Sequence, residues 1–421
     1  MKGITVLVFA LALAATALLA ACGGGNGGSS VGPSGSVGPD TGIAFSGKDP
    51  DKPTPKVYVV DADSGAVQEL TNIEQYEWWP TWSRDRQRLA FVAWPVPTPA
   101  PTATTPTPSG TTPTPTPAPT PNPSGITPTP TPAPTPNPEE IIQRHLLVAN
   151  ADGSDQHPIA DSIPLQNYSG GFSWSPDGGR IISMAVVDPA EQAIRSELRL
   201  FNTADGSEVP FPEQRLGFLP AWSPDGTKIV FGAFVGELDE RGKGESELFM
   251  MDSDGANLRQ ITGRPGTDVE PSWSPDGTRI LWWGQNPQTD PSQTPTPILF
   301  MMDVASGQIT ELGEGSVPVW SPDGQRILFV LEEKPPPGVL PSRANTDIYA
   351  LDVATGERMP LVQDPSSDLW PVWSPDGQRI AFVSERDSLA GEIYIVNADG
   401  SDLRRLTNNN VVEGMLAWAP R

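Results

Sequence analysis

The segment Trp373-Ser374-Pro375-Asp376-Gly377 occurs unchanged at four other places in the chain. A decayed copy begins at Trp82 and reads Trp-Ser-Arg-Asp-Arg, and a seventh tryptophan, Trp418, is followed by Ala-Pro-Arg. From the first unchanged copy onward, the repeat tryptophans are 48, 51, 47, 53 and 45 residues apart. A unit recurring at this period is typical of a solenoid, a propeller or an array. The other unchanged copies begin at Trp174, Trp222, Trp273 and Trp320.

One repeat unit predicts four short strands. Residues 371–374 form strand a, and the Pro-Asp-Gly turn that follows suits a tight reversal, because proline fixes φ and glycine tolerates a positive φ. Residues 379–384 alternate as strand b, and residues 392–396 form strand c. An Asp-Gly hairpin turn then leads to strand d at residues 403–406. Four-stranded meanders at this spacing are typical of the blades of a β-propeller.

The order of these motifs resembles a known repeat family. The pattern W-S-P-D-G-x-x-I-x-F, then I-Y-x-x-D-x-D-G, then L-T resembles the WD-repeat-like propeller of TolB and related secreted proteins. The resemblance covers residues 42–421 apart from one insertion. It implies an all-β fold of four-stranded antiparallel blades. It implies no single activity, because this repeat occurs in binding proteins, in accessory domains of peptidases and in some lyases.

The two ends of the chain predict how the blades close into a ring. Residues 416–418 read as a strand a with no strand b after it. Residues 43–46 read as a strand b with no strand a before it, and they match residues 380–383. Pairing the two ends would leave no open sheet edge. We therefore predict a seven-bladed propeller over residues 42–421, in which one C-terminal strand a joins N-terminal strands b, c and d.

The N-terminus predicts export and lipid anchoring. Residues 1–21 combine a cationic start with an apolar run, which is typical of a secretory signal. The run approaches the length of a membrane-spanning helix, which is the alternative. However, Leu19-Ala20-Ala21-Cys22 resembles the lipobox of bacterial lipoproteins, whose cysteine becomes lipidated, and Cys22 is the only cysteine. We expect a body outside the cytoplasm, held to a bacterial membrane through the lipid alone by a flexible Gly/Ser-rich tether, residues 22–41.

Residues 95–138 differ from the rest of the chain. They contain 18 prolines in 44 residues, and within the matching segments 111–123 and 126–138 a 12-residue phrase is identical at residues 112–123 and 127–138. This composition cannot bury a core and favours polyproline II. We expect a disordered insertion within one blade. Its role stays open between a tolerated insertion and a wall-spanning or O-glycosylated stalk.

Charge and composition exclude some classes of function. The net charge is −24, from 27 basic and 51 acidic residues, which argues against nucleic acid or an anionic membrane surface as the ligand. His145 and His157 have no Cys/His partner at metal-ligand spacing. Residues 28–32 match G-x-S-x-G but have no strand before them and no helix after them. We expect a monomer with no metal, no cofactor and no nucleic-acid partner.

One face of the predicted propeller carries the irregular b–c and d–a loops, and rigid scaffolds usually bind through such loops. The leading hypothesis is a non-catalytic protein that binds a protein or a cell-envelope polymer through this face. The seven repeat tryptophans are expected to pack blade against blade. The candidate binding residues lie just before strand a: Tyr76, Glu77, Trp78, Trp79, Asp368 and Trp370.

The alternative is a carbohydrate-active or lactone-hydrolysing enzyme that works with carboxylates alone at the mouth of the channel. General acid/base work on a glycosidic bond needs two carboxyl groups at a defined separation. The carboxylates available on the d–a loops are Glu74, Glu77, Asp268, Glu270, Asp364 and Asp368.

Overall fold

All regular elements among the described residues are β-strands, 29 in number. The all-β prediction is therefore confirmed. Among these residues no helix is long and apolar enough to cross a bilayer. The signal segment, nearly all of the tether and the insertion beyond residue 95 lie outside the described residues. The computed structural model describes residues 41–73, 75–95, 144–161, 171–186, 196–210, 215–236, 244–286, 295–333, 345–409 and 411–419.

The strands form seven runs of four antiparallel neighbours. Five runs are separate sheets, and two lie in one eight-stranded sheet, where a single parallel bridge between Ser246 and Thr267 joins them. The first run places the last strand beside the first one. It contains, in sheet order, β29 (Val412–Trp418), β1 (Gly42–Lys48), β2 (Lys56–Asp61) and β3 (Val67–Glu69).

The other six runs follow the chain in order. The second contains β4 (Gln75–Trp82), β5 (Arg88–Pro95), β6 (His145–Asn150) and β7 (His157–Asp161). The third contains β8 (Phe172–Trp174), β9 (Arg180–Val186), β10 (Ser196–Asn202) and β11 (Glu208–Val209), with β12 (Arg215–Leu216) also paired to β10. The fourth contains β13 (Phe218–Trp222), β14 (Lys228–Val235), β15 (Glu245–Asp252) and β16 (Arg259–Gln260).

The last three runs have the same plan. The fifth contains β17 (Thr267–Trp273), β18 (Arg279–Gln285), β19 (Pro297–Asp303) and β20 (Ile309–Glu314). The sixth contains β21 (Ser316–Trp320), β22 (Arg326–Glu333), β23 (Asn345–Asp352) and β24 (Arg358–Val362). The seventh contains β25 (Asp368–Trp373), β26 (Arg379–Ser384), β27 (Glu392–Asn397) and β28 (Arg404–Arg405).

The repeated turn is built from its own side chains. In the copy that follows Trp373, the Ser374 hydroxyl donates to Asp376 Oδ1 at 2.6 Å and accepts the backbone N–H of Arg379 at 2.8 Å. Gly377 closes the turn with a φ of 68°. The decayed copy keeps the same geometry with arginine at the glycine position, where Arg86 has a φ of 60°. Serine and aspartate therefore carry the turn even where proline and glycine are lost.

Seven apolar clusters of described residues lie between the runs, and each takes its side chains from two neighbouring runs. One of them joins the seventh run to the first and contains Ile393, Val383, Ile43 and Trp418. Each repeat tryptophan packs in a different cluster. Apolar burial is thus concentrated at the junctions between sheets, where facing sheets interdigitate.

Polar contacts repeat at these junctions. An arginine at the start of the second strand stacks on the repeat tryptophan of the next run. The distances from guanidinium carbon to ring centre are 5.5 Å for Arg88 on Trp174, 5.1 Å for Arg279 on Trp320, 4.7 Å for Arg326 on Trp373 and 5.5 Å for Arg379 on Trp418. Three repeat indoles donate at 3.1 Å to the first strand of the preceding run: Trp82 to Ala417 O, Trp174 to Thr81 O and Trp273 to Ala221 O.

Candidate functional site

The backbone turns left-handed three residues before each repeat tryptophan. The φ angle is 56° at Trp79, 51° at Trp370 and 60° at Gly171. This conformation costs a residue other than glycine roughly 1–2 kcal/mol, and here it coincides with a bulge, which re-aims the neighbouring side chains. The other four residues that lie three before a repeat tryptophan also have a positive φ: 51° at Leu219, 54° at Glu270, 50° at Val317 and 54° at Met415.

Next to the bulge in β4, aromatic side chains form a stacked row. Tyr76 lies opposite Trp94 in the β4–β5 pair, with ring centres 5.7 Å apart and ring planes 5° apart. Trp78 stacks on the same ring at 6.4 Å and 11°, and Trp79 lies 6.4 Å from it in a tilted arrangement. The guanidinium of Arg144 lies 5.2 Å from the centre of the Trp94 ring. We call these five half-buried residues the aromatic cluster.

The aromatic cluster carries one positive charge and unused donors. Burial lowers the pKa of Arg144 to about 10, so the group stays charged at neutral pH. Among the described residues, Arg144 Nε and the indole nitrogens of Trp78 and Trp79 have no hydrogen-bond acceptor. A buried donor without a partner costs about 1–3 kcal/mol. A ligand that brings acceptors to these atoms would recover part of that cost.

The candidate residues Tyr76, Trp78 and Trp79 lie together in the structure, and Trp94 and Arg144, which the sequence analysis did not name, lie beside them. Trp94 lies in β5, directly before the Pro/Thr-rich insertion, and Arg144 directly precedes β6, which resumes after it. The pairing of β5 with β6 brings together the described strands that precede and follow the insertion in sequence. The sequence feature that could have indicated them is an aromatic residue directly before the insertion and a basic residue shortly after it.

Trp370 does not belong to the aromatic cluster. It packs against the apolar cluster between the seventh and first runs, together with Val372. A Cβ placed on Gly414 would lie 3.0 Å from Trp370 Cζ3, so the indole lies directly on the backbone of β29. Trp370 therefore contributes to the junction where the last strand meets its neighbours.

Glu77 and Asp368 are buried at junctions, and this corrects their placement on an exposed contact surface. Both have 0 % relative exposure. Glu77 accepts from Lys56 Nζ at 3.3 Å and from the backbone N–H of Val57 at 3.1 Å, while Asp368 accepts from Arg386 Nη2 at 3.0 Å. Burial raises the pKa of both carboxyl groups. The contacts of Glu77 tie β4 to the run before it, whereas the ion pair of Asp368 with Arg386 lies within the seventh run.

The other candidate carboxylates also have structural partners. Asp268 accepts from Arg264 Nε at 2.8 Å, and Asp364 forms a 4.0 Å ion pair with Arg386. Glu270 accepts the indole N–H of Trp283 at 2.8 Å, and burial raises its pKa. Glu74 lies outside the described residues. No group of three or more possible metal ligands occurs within the described ranges.

Comparisons with known proteins agree with this architecture. The family model described as TolB beta propeller domain matches residues 135–336 and 318–421. The chain is 31% identical over 75 residues to the uncharacterized peptidase YuxL of Bacillus subtilis, covering 18% of this chain and 11% of that protein. It is 29% identical over 144 residues to a TolB homolog of Chlorobium chlorochromatii, covering 34% of this chain and 29% of that protein.

Among solved structures, the oligogalacturonate lyase of Vibrio parahaemolyticus is similar with a TM-score of 0.56 and 12% identity, covering 84% of this chain and 86% of that one. At this identity the similarity concerns the fold alone. The family model covers more than half of the chain, and four-stranded antiparallel runs recur along it. The chain belongs to the TolB beta propeller domain family.

Proposed function

We propose that this protein is a lipid-anchored, seven-bladed β-propeller outside the cytoplasm that binds a protein or a cell-envelope polymer through the aromatic cluster. The signal segment at residues 1–21, lipidation at Cys22, the tether and the Pro/Thr-rich insertion are parts of this proposal. The observation that most supports a binding role is the stacked row of Tyr76, Trp94 and Trp78 beside Arg144.

The contacts between the chain ends support a closed ring. β29 pairs antiparallel with β1, and Ala44 lies opposite Ala417. β29 contacts both β25 and β4, and the first strands of the third to seventh runs contact one another in order. Between the second and third runs, the Trp174 indole of β8 donates to Thr81 O of β4. The junction around β29 repeats the contacts of the others, because Arg379 stacks on Trp418 and Trp82 donates to Ala417. A ring without an open edge gives the loops a rigid support.

The chemistry of the aromatic cluster supports binding. Tyrosine and tryptophan offer large contact areas at a low cost in conformational entropy, and they are enriched at the energetic centres of interfaces. Trp78 and Tyr76 lie on a strand rather than on a free loop, so their positions are fixed before a ligand arrives. Arg144 adds a cation to a molecule of net charge −24. The favoured ligand therefore combines ring-like or apolar faces with acceptor oxygens.

Replacing Trp78 by alanine is expected to weaken binding to the native envelope ligand by more than about tenfold, because interface tryptophans commonly contribute about 2 kcal/mol or more. The measurement compares wild type and Trp78→Ala by quantitative co-sedimentation with isolated cell-wall polymer. In parallel, both proteins are used for capture from a native envelope extract. Circular dichroism and thermal unfolding establish that the variant is folded.

Leu389→Ala is the matched control, since Leu389 is apolar, 70% exposed and remote in sequence from the aromatic cluster. The control is expected to bind like wild type. Equal binding by Trp78→Ala and wild type, with both folded, would remove the aromatic cluster from the proposal. Binding to the polymer alone, or capture of one dominant protein alone, identifies the class of ligand.

A further inference from the structure

Two buried carboxylates meet at the strand that joins the chain ends. Glu413 on β29 and Glu392 on β27 are each only 2% exposed. The Thr407 hydroxyl lies 2.6 Å from Glu413 Oε2 and 3.0 Å from Glu392 Oε2. The backbone N–H of Ile393 reaches both Thr407 Oγ1 and Glu413 Oε2 at 2.8 Å. The two acids thus share the Thr407 hydroxyl, and the Ile393 amide is shared between Thr407 and Glu413.

Counting hydrogens shows that one more proton completes this network. Three oxygens, those of Thr407, Glu413 and Glu392, compete for the two hydrogens of the Thr407 hydroxyl and the Ile393 amide. With a proton on Glu413, that carboxyl donates to Thr407 Oγ1, and the threonine hydroxyl donates to Glu392. Ionised Glu392 is then neutralised by Arg405, 2.6 Å from its Oε1. Buried polar groups are stable when every member of the network is satisfied.

At three other junctions the charge of a buried acid is balanced by a basic side chain. Three further acids occupy the position five residues before a repeat tryptophan, and each has a basic partner. These pairs are Glu77 with Lys56, Asp268 with Arg264, and Asp368 with Arg386. Among the described residues, Glu413 has no basic group within 4.0 Å, because Arg405 pairs with Glu392 instead. An uncompensated buried charge is unfavourable, and a carboxyl group at such a site keeps its proton.

We propose that Glu392 and Glu413 share one proton, and that this proton locks β29 against the seventh run. Its loss at alkaline pH would place two negative charges around Thr407 and loosen the strand that closes the ring. The proposal rests on the closed ring described above and is independent of the binding role of the aromatic cluster. It assigns to the closing strand a pH-sensitive latch, whereas three other junctions have an ion pair at the same repeat position.

The charged groups of the neighbouring elements are already engaged elsewhere. On the β28 side, Arg405 also contacts Asp387 at 3.2 Å. On β1, Lys48 follows the partner residue of Glu413, and its Nζ donates to Asp49 O at 2.8 Å. Asn409 contributes a neutral amide, 3.0 Å from Glu413 Oε1. The two other acids on strands that contact β29 are compensated: Asp368 of β25 by Arg386, and Glu77 of β4 by Lys56.

The direction of the pH effect follows from the folded and unfolded states. Burial raises the pKa of Glu413 to about 8 in the folded protein, from an ordinary value of 4.5. The folded protein therefore holds a proton that the unlocked strand releases. The contribution of this proton is complete below about pH 4.5, declines as the pH rises and is gone above about pH 8. For one proton, the equilibrium constant for unlocking rises about tenfold per pH unit within this window.

Amide hydrogen exchange of the full chain, read by mass spectrometry from pH 5 to 9, tests the latch. The quantity compared is the protection factor of the peptide that contains β29, which corrects for the intrinsic pH dependence of exchange. In wild type, this factor is expected to fall by about tenfold per pH unit and to level off near pH 8. In Glu413→Gln it is expected to be independent of pH over the same range, because the amide carries its hydrogens at every pH.

Glu77→Gln is the matched control, because it removes an acid at the same repeat position whose charge Lys56 already balances. The control is expected to keep the wild-type pH dependence of β29. Constant protection of wild-type β29 from pH 5 to 9, or the same pH dependence in Glu413→Gln, would overturn the latch. Absence of protection in β29 at every pH would overturn the closed ring as well. Loss of ligand binding by the Trp78 variant bears on neither result.

Discussion

Trp282→Ala is expected to lower the free energy of unfolding by about 4 kcal/mol, because the variant loses a large apolar contact and leaves a cavity. Trp282 is fully buried and stacks on Phe300 with ring centres 5.7 Å apart. Its cluster joins the fourth and fifth runs and also contains Val230, Leu248 and Ile280. Equilibrium denaturation in urea, with the slope checked for two-state behaviour, measures the difference.

Trp282→Phe separates the size of the side chain from its polar atom. The indole nitrogen of Trp282 has no acceptor among the described residues, so a phenyl ring removes an unsatisfied donor while it keeps the stack. We expect a loss of only about 1 kcal/mol, because the cavity is smaller than in the alanine variant and the removal of the unsatisfied donor offsets part of its cost. An alanine variant as stable as the phenylalanine variant would show that this junction does not depend on the packing described here.

Removal of residues 411–421 is expected to destabilise the whole protein and to make its unfolding less cooperative. It takes away β29, leaves β1 with an unpaired edge and exposes the apolar cluster that contains Ile43 and Ile393. An exposed apolar strand edge pairs with other chains. We expect association of the shortened protein in light scattering after size-exclusion chromatography, together with a lower and broader thermal transition.

Removal of residues 420–421 alone is the control for this truncation. It keeps β29 and the pairing of Ala417 with Ala44. This shorter deletion is expected to leave a monomer with the wild-type transition. A monomeric protein with an unchanged transition after removal of residues 411–421 would mean that β29 does not stabilise the molecule.

The repeated turn made most of the strand order predictable. Its serine and aspartate encode their own hydrogen bonds, so even the copy with Arg86 at the glycine position could be recognised. Residues 43–46 and 416–418 were predicted as partners from their match to complete repeats, and β1 and β29 pair. The turns can be predicted from the sequence because each one is stabilised by hydrogen bonds between residues at most five positions apart.

The aromatic cluster was less predictable because it depends on the directions in which side chains point and on the pairing of strands that are distant in sequence. Glu77 lies between Tyr76 and Trp78 in sequence, but alternate residues of a strand point to opposite faces, so the acid is buried while the rings stack with Trp94. Trp370 has the same repeat position as Trp79, yet it packs on Gly414. Gly414 has no side chain, and this leaves room for the Trp370 indole on β29. Which strands lie side by side in space cannot be predicted from the sequence of one segment alone.

A disulfide across the β1–β29 pair tests most directly the central claim, which is that the ring is closed. Ala44 and Ala417 lie opposite each other in the β1–β29 pair. In a chain with Cys22→Ser, the changes Ala44→Cys and Ala417→Cys introduce the only two cysteines. After mild oxidation, a closed ring predicts a monomer with one internal disulfide between these positions, identified by peptide mapping, and a higher thermal transition. Free thiols, or disulfides that link two chains, would contradict the account.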